Sequence, residues 1–245
     1  MENIKEEPDK NNEIVNDKKT IVLALPGDNF SSKFLISWSN TIAHLISTNK
    51  YNIVISPSTG SYVTFVRMRT LGLDVRRGVL QKPFNGEKYD IWITIDSDII
   101  FTAEQVVSLI ESCEKHPVVS GIYRMADLQN FAVVKDWNTD YFIKNGTFEF
   151  LTEEMINNWK KETELKYMPV HYTGMGFFAC RKEVLDKLTY PFFDHKMEEF
   201  KTDDGIIIRD ISSEDTCFCK NILAAGYQIV IDTDLRVGHL KQLVI

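Results

Sequence analysis

The sequence predicts an α/β fold in which a doubly wound, mostly parallel sheet carries helices on both faces. Apolar runs of strand length at residues 20–25, 51–56 and 91–95 alternate with segments whose apolar residues recur at helical spacing. The strand runs are continuously apolar, which is typical of strands that are covered on both sides. This succession of strands and helices through the first half of the chain favours a parallel sheet.

The first two strands have recognisable ends. Pro26 and Gly27 end the first strand, and Ser31 or Ser32 is expected to cap the helix that follows it. The second strand is expected to stop at Pro57, because proline cannot donate a ladder hydrogen bond.

The next elements continue the alternation. A helix is predicted at about residues 62–71, and Thr102 caps another helix after the third strand. Residues 118–123 form a fourth apolar run of strand length.

Beyond residue 123 the pattern changes to short segments divided by Asn, Asp and Gly, which predicts a smaller antiparallel subregion. The strand candidates in it are residues 131–137, 141–143 and 148–151. Helices are then predicted at residues 153–166, at residues 182–188, and from Ser213 to about Ala225. Gly226 ends the last of these helices, and residues 227–232 are predicted to form the last long strand.

The chain divides into a tail and one domain. Residues 1–19 are rich in Glu, Asp, Lys and Asn, and such a segment buries too little apolar surface to offset the entropy of ordering. We therefore predict a disordered tail at residues 1–19 and a single domain at residues 20–245.

Composition and charge bear on the partners, the cysteines and the location of the protein. The net charge of −7 and the absence of a basic stripe disfavour nucleic acid as a partner. The four cysteines lack the paired spacing of a zinc site and indicate buried, reduced thiols. The chain shows neither a signal-like apolar start nor the roughly 18 apolar residues of a membrane span, so we expect no transmembrane segment and a cytoplasmic location.

The most informative motif is the acidic triplet Asp96-Ser97-Asp98, which follows the third strand directly. In open α/β sheets, ligands bind beyond the carboxyl ends of strands. Carboxylates at positions i and i+2 of an extended chain lie on one side, where both can face a divalent ion such as Mn²⁺ or Mg²⁺ that also binds a diphosphate. The alternative is that Asp96 caps the following turn and Asp98 is merely solvated.

Two further motifs carry titratable groups. Glu214 and Asp215 follow Ser213 at the start of a helix, where a carboxylate could take a proton from an attacking hydroxyl. Acidic residues are also common there because of the helix dipole alone. His239 follows Gly238 after the last strand, and it could complete the coordination of a metal ion or could simply be exposed.

Gly174 and Gly176 lie among apolar residues. Paired glycines of this kind let a ligand or another backbone segment approach closely. A tight turn between two strands explains them equally well.

In this order the motifs resemble the GT-A fold glycosyltransferases, particularly the broad family 2-like group with members in large DNA viruses and phages. The matching segments cover nearly all of residues 20–245: ALPG at 24–27, Arg67, YDIWITIDSDIIF at 89–101, VVSGIY at 118–123, GMGFFACRKEVLDKL at 174–188 and SSEDTCFCKNILAAGYQIVIDTDLRVGHL at 212–240. The resemblance implies a GT-A fold with a nucleotide-binding half at residues 20–123 and an acceptor-binding half at residues 124–245.

The resemblance also implies a role for each matching residue. The donor-binding residues would be Pro26, Gly27, Ser56, Arg67, Asp96, Ser97, Gly174 and Gly176. Arg67 would contact the nucleotide or the diphosphate, although Arg69 could fill that place. The metal ligands would be Asp98, Asp96 and His239, with Asp96 touching either the ribose or the ion.

For catalysis, the resemblance implies an inverting transfer in which Asp215 is the general base and Glu214 holds the acceptor or the donor sugar. The donor would be a UDP-sugar, and the acceptor a glycan or another hydroxyl compound. Residues 126–169 match no motif, which leaves the identity of the acceptor open.

Two other functions fit parts of the pattern. A sugar-phosphate nucleotidyltransferase also uses an α/β sheet and a divalent ion, but it needs a glycine-rich basic loop after the first strand, and residues 25–30 hold one glycine and no basic residue. A sugar-nucleotide or glycan-binding module without catalysis would not need to retain Asp96, Asp98, Asp215 and His239 together.

We expect the predicted tail to be dispensable for folding. A chain that begins at Thr20 should melt within a few degrees of the full-length protein, since the composition of residues 1–19 offers little to bury. Thermal unfolding of both chains checks this, and a large loss of stability would show that the tail packs onto the domain.

Overall fold

A computed structural model describes residues 18–241. Most of the predicted tail and the last four residues of the predicted domain lie outside this range. Lys18 and Lys19, which the sequence assigned to the tail, contact the domain: their backbone carbonyls accept hydrogen bonds from the side chain and the backbone of Asn52, at 3.2 and 2.9 Å. Lys19 also pairs with Glu114 at 2.7 Å.

The strands and helices follow one another along the whole described chain. The strands are β1 Thr20–Pro26, β2 Asn52–Ser58, β3 Ile91–Ile95, β4 Ile99–Ile100, β5 Val118–Ile122, β6 Asn130–Val134, β7 Phe150–Thr152, β8 Tyr167–Val170, β9 Tyr172–Thr173, β10 Phe177–Arg181, β11 Met197–Lys201, β12 Ile207–Ile211, β13 Ile229–Arg236 and β14 Gly238–His239. The α-helices are α1 Ser32–Thr48, α2 Val63–Thr70, α3 Ala103–Lys115, α4 Thr139–Asn145, α5 Glu153–Thr163, α6 Lys182–Leu185 and α7 Glu214–Ala224, and short 3₁₀ helices lie at Val75–Arg77 and Pro83–Gly86.

The central sheet has seven strands in the order β2-β1-β3-β10-β5-β13-β8. Five of them run in one direction, while β10 and β8 run against their neighbours. The chain leaves β1 towards β2 and then crosses back to β3 on the other side of β1, so the winding reverses between β1 and β3. Open α/β sheets form a crevice at such a point, beyond the carboxyl ends of the two strands.

The α/β class, with a large and mostly parallel central sheet and separate small antiparallel sheets, is confirmed. Strands β1 and β3 are buried on both faces, which explains their apolar runs: Val22 and Trp92 pack on one face, and their neighbours Leu23 and Ile93 pack on the other. The edge strand β2 is largely exposed, contrary to the expectation that it is covered on both sides. The helix caps predicted from sequence are confirmed at Ser31, Thr102 and Ser213, whose side chains accept the backbone N–H groups of Phe34, Gln105 and Thr216.

Two details of the predicted fold are wrong. Residues 141–143 lie in helix α4 rather than in a strand, because Asn138 caps that segment and Gly146 ends it in the left-handed conformation. Pro57 does not stop β2, since β2 is an edge strand and needs no N–H on its open side. In the centre of the mostly parallel sheet, β10 lies antiparallel between β3 and β5.

Three small antiparallel sheets complete the fold: β7-β6-β9, β14-β4 and the hairpin β11-β12. The first of these sheets lies in the predicted antiparallel subregion. The hairpin was not predicted from the sequence. Within residues 18–241, no helix is both long enough and apolar enough to span a membrane.

Candidate active site

The predicted donor-binding residues of the first half meet where β1, β2 and β3 end. Gly27 has a φ of +137°, and a Cβ atom on it would lie 3.1 Å from both the Cβ and the Oγ of Ser97. The turn after β1 therefore passes directly over the acidic triplet and requires glycine. Ser56 is the partner of Ala24 in the ladder between β2 and β1, close to the same edge of the sheet.

The guanidinium of Arg67, on α2, is buried and binds three carboxylates. Two parallel hydrogen bonds of 3.0 and 3.1 Å join its terminal nitrogens to the two oxygens of Asp96. Its Nε atom lies 3.2 Å from Glu214 and 3.3 Å from Asp215. Burial alone would lower the pKa of Arg67, but the charges of Asp215 and Asp96 raise it well above its ordinary value.

Arg67 therefore brings the acidic end of β3 together with the start of α7. The sequence motifs at these two places were expected to belong to one site. In this structure its N–H groups bind carboxylates. Its predicted contact with a nucleotide or a diphosphate stays a prediction.

The carboxylate of Asp215 has a strongly raised pKa. Burial raises its pKa, the charge of Arg67 opposes that shift, and the charges of Glu214 and Asp96 add to it, which together bring the pKa to about 7. Its Oδ2 atom accepts a long hydrogen bond of 3.3 Å from the backbone N–H of Met175. Its Oδ1 atom is buried and lies 3.3 Å from Nε of Arg67, a charge contact without hydrogen-bond geometry. A buried carboxylate with a strongly raised pKa is typical of functional sites.

Asp98 lies in a different environment from Asp96. Its Oδ2 atom is 3.0 Å from Nε2 of His239 and 2.8 Å from Nζ of Lys241. Burial alone would raise the pKa of Asp98, but the hydrogen bonds and charges of these two partners lower it to about 2. The antiparallel pairing of β14 with β4 holds His239 beside Asp98.

The hydrogen bonds of His239 test whether this pair fits a divalent cation. Nδ1 lies 2.7 Å from the backbone carbonyl of Arg124, and since a carbonyl only accepts, Nδ1 must carry a proton. Nε2 then faces the Asp98 carboxylate either as part of an imidazolium or as a neutral lone pair that shares a cation with Oδ2.

The distance of 3.0 Å within the pair is an ordinary hydrogen-bond length, and it also suits the second arrangement. Adjacent ligands of an octahedral ion at about 2.1 Å lie about 3.0 Å apart. The pair therefore fits a divalent ion whose remaining positions are filled by diphosphate and water oxygens.

The third predicted metal ligand does not join this pair. Both oxygens of Asp96 are bound to Arg67, and within residues 18–241 no group of three or more His, Cys, Asp or Glu side chains is placed to hold a metal. Of the expected set of Asp98, Asp96 and His239, the structure brings only Asp98 and His239 together, and metal binding by these residues stays a prediction.

Gly174 and Gly176 lie beneath the ring of Tyr123. A Cβ atom on Gly174 would lie 2.2 Å from the phenolic oxygen, and one on Gly176 would lie 2.8 Å from the ring. The same phenolic oxygen accepts the backbone N–H of Gly176 at 3.1 Å, and the ring meets that of His239 edge to face at 4.9 Å. The two glycines thus admit a tyrosine that supports the site, and their contact with a sugar stays a prediction.

Sequence reasoning missed three residues of the site, namely Tyr123, Tyr172 and Lys241. Tyr123 ends a quoted motif, and Lys241 follows His239 by two residues, so position along the chain was an available signal for both. Tyr172 is partly buried, and the charge of Asp215 adds to burial in raising its pKa. It lies two residues before Gly174, so its position beside the paired glycines was an available signal as well.

The four cysteines, Cys113, Cys180, Cys217 and Cys219, are free and buried, as expected.

Comparison with known proteins gives structural likenesses only. No family model and no curated protein sequence matches the chain. The crystal structure of A197 from STIV is 17% identical, with a TM-score of 0.48 over 91% of this chain and 86% of that one.

Two crystal structures of glucosyl-3-phosphoglycerate synthase from Mycobacterium tuberculosis are also similar. The first, in complex with Mn²⁺, UDP and phosphoglyceric acid, is 14% identical, with a TM-score of 0.43 over 92% of this chain and 72% of that one. The second, in complex with Mn²⁺, UDP and glucosyl-3-phosphoglycerate, is 15% identical, with a TM-score of 0.41 over 92% and 73%.

The raised pKa of Asp215 has a consequence for stability. Because its folded pKa lies above the unfolded value, the folded protein holds more protons between about pH 4 and pH 7, and this group's contribution to stability falls as the pH rises through that window. Asp215→Asn should therefore raise the melting temperature at pH 8 relative to wild type and change it little at pH 5. Arg67 keeps Asp96 and Glu214 as partners in the variant.

Thermal melts of both proteins at several pH values test this. A variant that melts lower at pH 8 would show that Asp215 acts only as a favourable charge at the helix terminus, worth about 0.3–1 kcal/mol.

Proposed function

We propose that this protein is a metal-dependent, inverting glycosyltransferase that moves a sugar from a UDP-sugar to a hydroxyl acceptor. The observation that carries the proposal is that one arginine connects two acidic groups with different surroundings. Arg67 connects the end of β3, which continues into the Asp98–His239 pair, to Asp215, a buried carboxylate with a raised pKa.

Asp215 has the properties of a general base for this reaction. A base works best when its pKa lies near the operating pH, and a pKa of about 7 meets that condition. The acceptor O–H would give its proton to Asp215 while the oxygen forms a bond to the anomeric carbon. The bond from that carbon to the diphosphate oxygen breaks at the same time, and the nucleoside diphosphate leaves with the electron pair.

Asp98 and His239 would hold a Mn²⁺ or Mg²⁺ ion together with the diphosphate. When bound, such an ion neutralises the negative charge that develops on the leaving group. Lys241 adds a positive charge at the same carboxylate oxygen. Tyr123 packs against the His239 ring, and the Arg124 carbonyl fixes its protonated nitrogen, so the chain itself sets the orientation of the imidazole.

Asp96 and Arg67 would position the site. A carboxylate held by two parallel hydrogen bonds keeps one orientation, so Asp96 can present an edge to the ribose without turning towards the ion. Glu214, bound to the same guanidinium, would orient the sugar. Pro26, Gly27, Ser56 and Ser97 would border the nucleotide, as the sequence resemblance implies.

A module that only binds sugar-nucleotides accounts for the Asp98–His239 pair but not for Asp215. Binding alone does not require a buried carboxylate with a raised pKa, which lowers stability at neutral pH. UDP as the nucleotide rests on the sequence resemblance, and four free, buried thiols agree with the proposed reducing, cytoplasmic compartment.

We expect binding of UDP to depend on the divalent ion through Asp98. At about 100 times the Kd, UDP with Mn²⁺ should stabilise the wild-type protein by about 2.7 kcal/mol. For a domain of this size that corresponds to a rise of about 5–10 °C in Tm. Asp98→Asn should lose this rise and keep its fold, while Asp136→Asn, an exposed carboxylate outside the site, should keep it.

Thermal shift with a panel of UDP- and GDP-sugars, with and without EDTA, measures this and identifies the donor. An equal shift in EDTA, on protein shown to be metal-free, would contradict the metal dependence.

Asp215→Asn should slow sugar transfer by about 10²- to 10⁴-fold, because asparagine keeps the shape of the side chain but cannot accept a proton. The Tm shift with UDP and Mn²⁺ should stay near wild type, since Asp98 and His239 are unchanged. Glu214→Gln should also slow transfer, mainly through a higher KM. Steady-state kinetics measure both variants, and a near-normal turnover number for Asp215→Asn would remove this residue from the mechanism.

A further inference from the structure

A cavity of about 190 Å³ opens beside the start of α7, next to the proposed general base. It lies between α4, β7, β9 and the hairpin β11-β12. Ser213 and Thr216 line it, and these two residues flank Asp215 in the sequence.

The walls of the cavity are aromatic. Six rings line it: Trp137, Phe142, Phe148, Phe150, Tyr172 and Phe200. Phe142 and Phe200 lie 4.5 Å apart between ring centroids, and Trp137 meets Phe148 at 4.9 Å, so the rings form continuous walls around the space. Aromatic faces of this kind pack against the C–H face of a sugar ring, against an alkyl chain or against another aromatic ring.

The hairpin contributes two carboxylates to this aromatic space. Glu198 on β11 and Asp210 on β12 are direct partners across the hairpin, and both line the cavity. Like charges in that position lower the stability of a hairpin. Lys220 on α7 offsets one of them, since its ammonium lies 2.6 Å from Glu198 and 5.2 Å from the centre of the Trp137 ring.

The two carboxylates can each accept a further donor. Glu198 is paired with Lys220, and Oδ1 of Asp210 accepts the backbone N–H of Ile211 at 2.8 Å, which leaves the other lone pairs of both groups open. An alkyl chain offers these lone pairs no donor, and an anionic group would add a third negative charge to Glu198 and Asp210. A neutral polyol with an apolar face can donate to both carboxylates and pack against the aromatic walls.

We propose that this cavity binds one neutral pyranose ring of a glycan acceptor and presents its hydroxyl group to Asp215. The inference rests on the proposed function, because it places the acceptor of that reaction. The size agrees with a single ring, since sites for larger ligands typically measure about 300–1,000 Å³. Tyr172 lines the cavity, and it lies close enough to Asp215 for that charge to add to burial in raising the pKa of the phenol. The cavity and the proposed base are therefore neighbours.

Saturation-transfer NMR on the full chain tests the cavity without any turnover. The probes are the methyl pyranosides of glucose, galactose and mannose, with glucose 6-phosphate as the anionic counterpart. We expect saturation of the ring C–H protons of at least one methyl pyranoside. Phe200→Ala and Trp137→Leu should weaken its binding about tenfold or more, because each removes an aromatic wall.

Two neighbouring glutamates on β11 provide a matched pair of variants. Glu198→Gln removes a charged acceptor inside the cavity and should weaken binding of the methyl pyranoside about tenfold. Glu199→Gln, whose carboxylate pairs with Arg209 on the exposed side of the hairpin, should leave binding unchanged. An anionic acceptor predicts the opposite sign, with Glu198→Gln improving the binding of glucose 6-phosphate.

The outcomes separate this inference from the proposed function, because the UDP and Mn²⁺ thermal shift is measured on the same proteins. A normal shift with no saturation of any methyl pyranoside would overturn the inference alone. So would saturation that Phe200→Ala, Trp137→Leu and Glu198→Gln leave intact, or a preference for glucose 6-phosphate. Absence of the UDP shift would overturn the glycosyltransferase proposal instead.

Discussion

The buried guanidinium of Arg67 is the interaction on which the rest of the site depends. Three carboxylates from two distant parts of the chain converge on it, and without a cation between them their mutual repulsion and desolvation would oppose that arrangement. Removing one partner of a buried ion pair typically costs about 3–5 kcal/mol. Arg67 therefore holds α2, the end of β3 and the start of α7 in one geometry, and the chemistry proposed for Asp215 exists only within it.

The same arginine separates the roles of two aspartates that look equivalent in the sequence. Asp96 gives both oxygens to Arg67, whereas Asp98, two residues later, faces His239 and Lys241. A pair of carboxylates that shared a single cation would both face it. In this fold one carboxylate is fixed in place on Arg67, and the other pairs with His239 and Lys241. That division is a property of the tertiary structure.

How much could be predicted from sequence follows from the range of the interactions involved. The caps at Ser31, Thr102 and Ser213 depend on neighbours three residues away, and the apolar strands depend on local composition, so these predictions are confirmed. Residues 141–143 were misassigned because a cap at Asn138 outweighed their strand-forming side chains. The contact between Arg67 and Glu214 spans 147 residues, and no local pattern contains it. The sequence motifs identified the acidic residues, but only the three-dimensional structure shows which residues pair with them.

Two unfavourable electrostatic arrangements lie on either side of the start of α7. One is Asp215, with its raised pKa, and the other is the opposed pair of Glu198 and Asp210 on the hairpin. Each lowers the stability of the fold, and apolar residues of similar size would remove either cost. Costs of this kind tend to persist where a substrate relieves them. Under the proposed function, a hydroxyl-rich ring in the cavity would donate to the hairpin carboxylates on one side and to Asp215 on the other. The carboxylates on the two sides of the cavity would then guide an acceptor hydroxyl to its base.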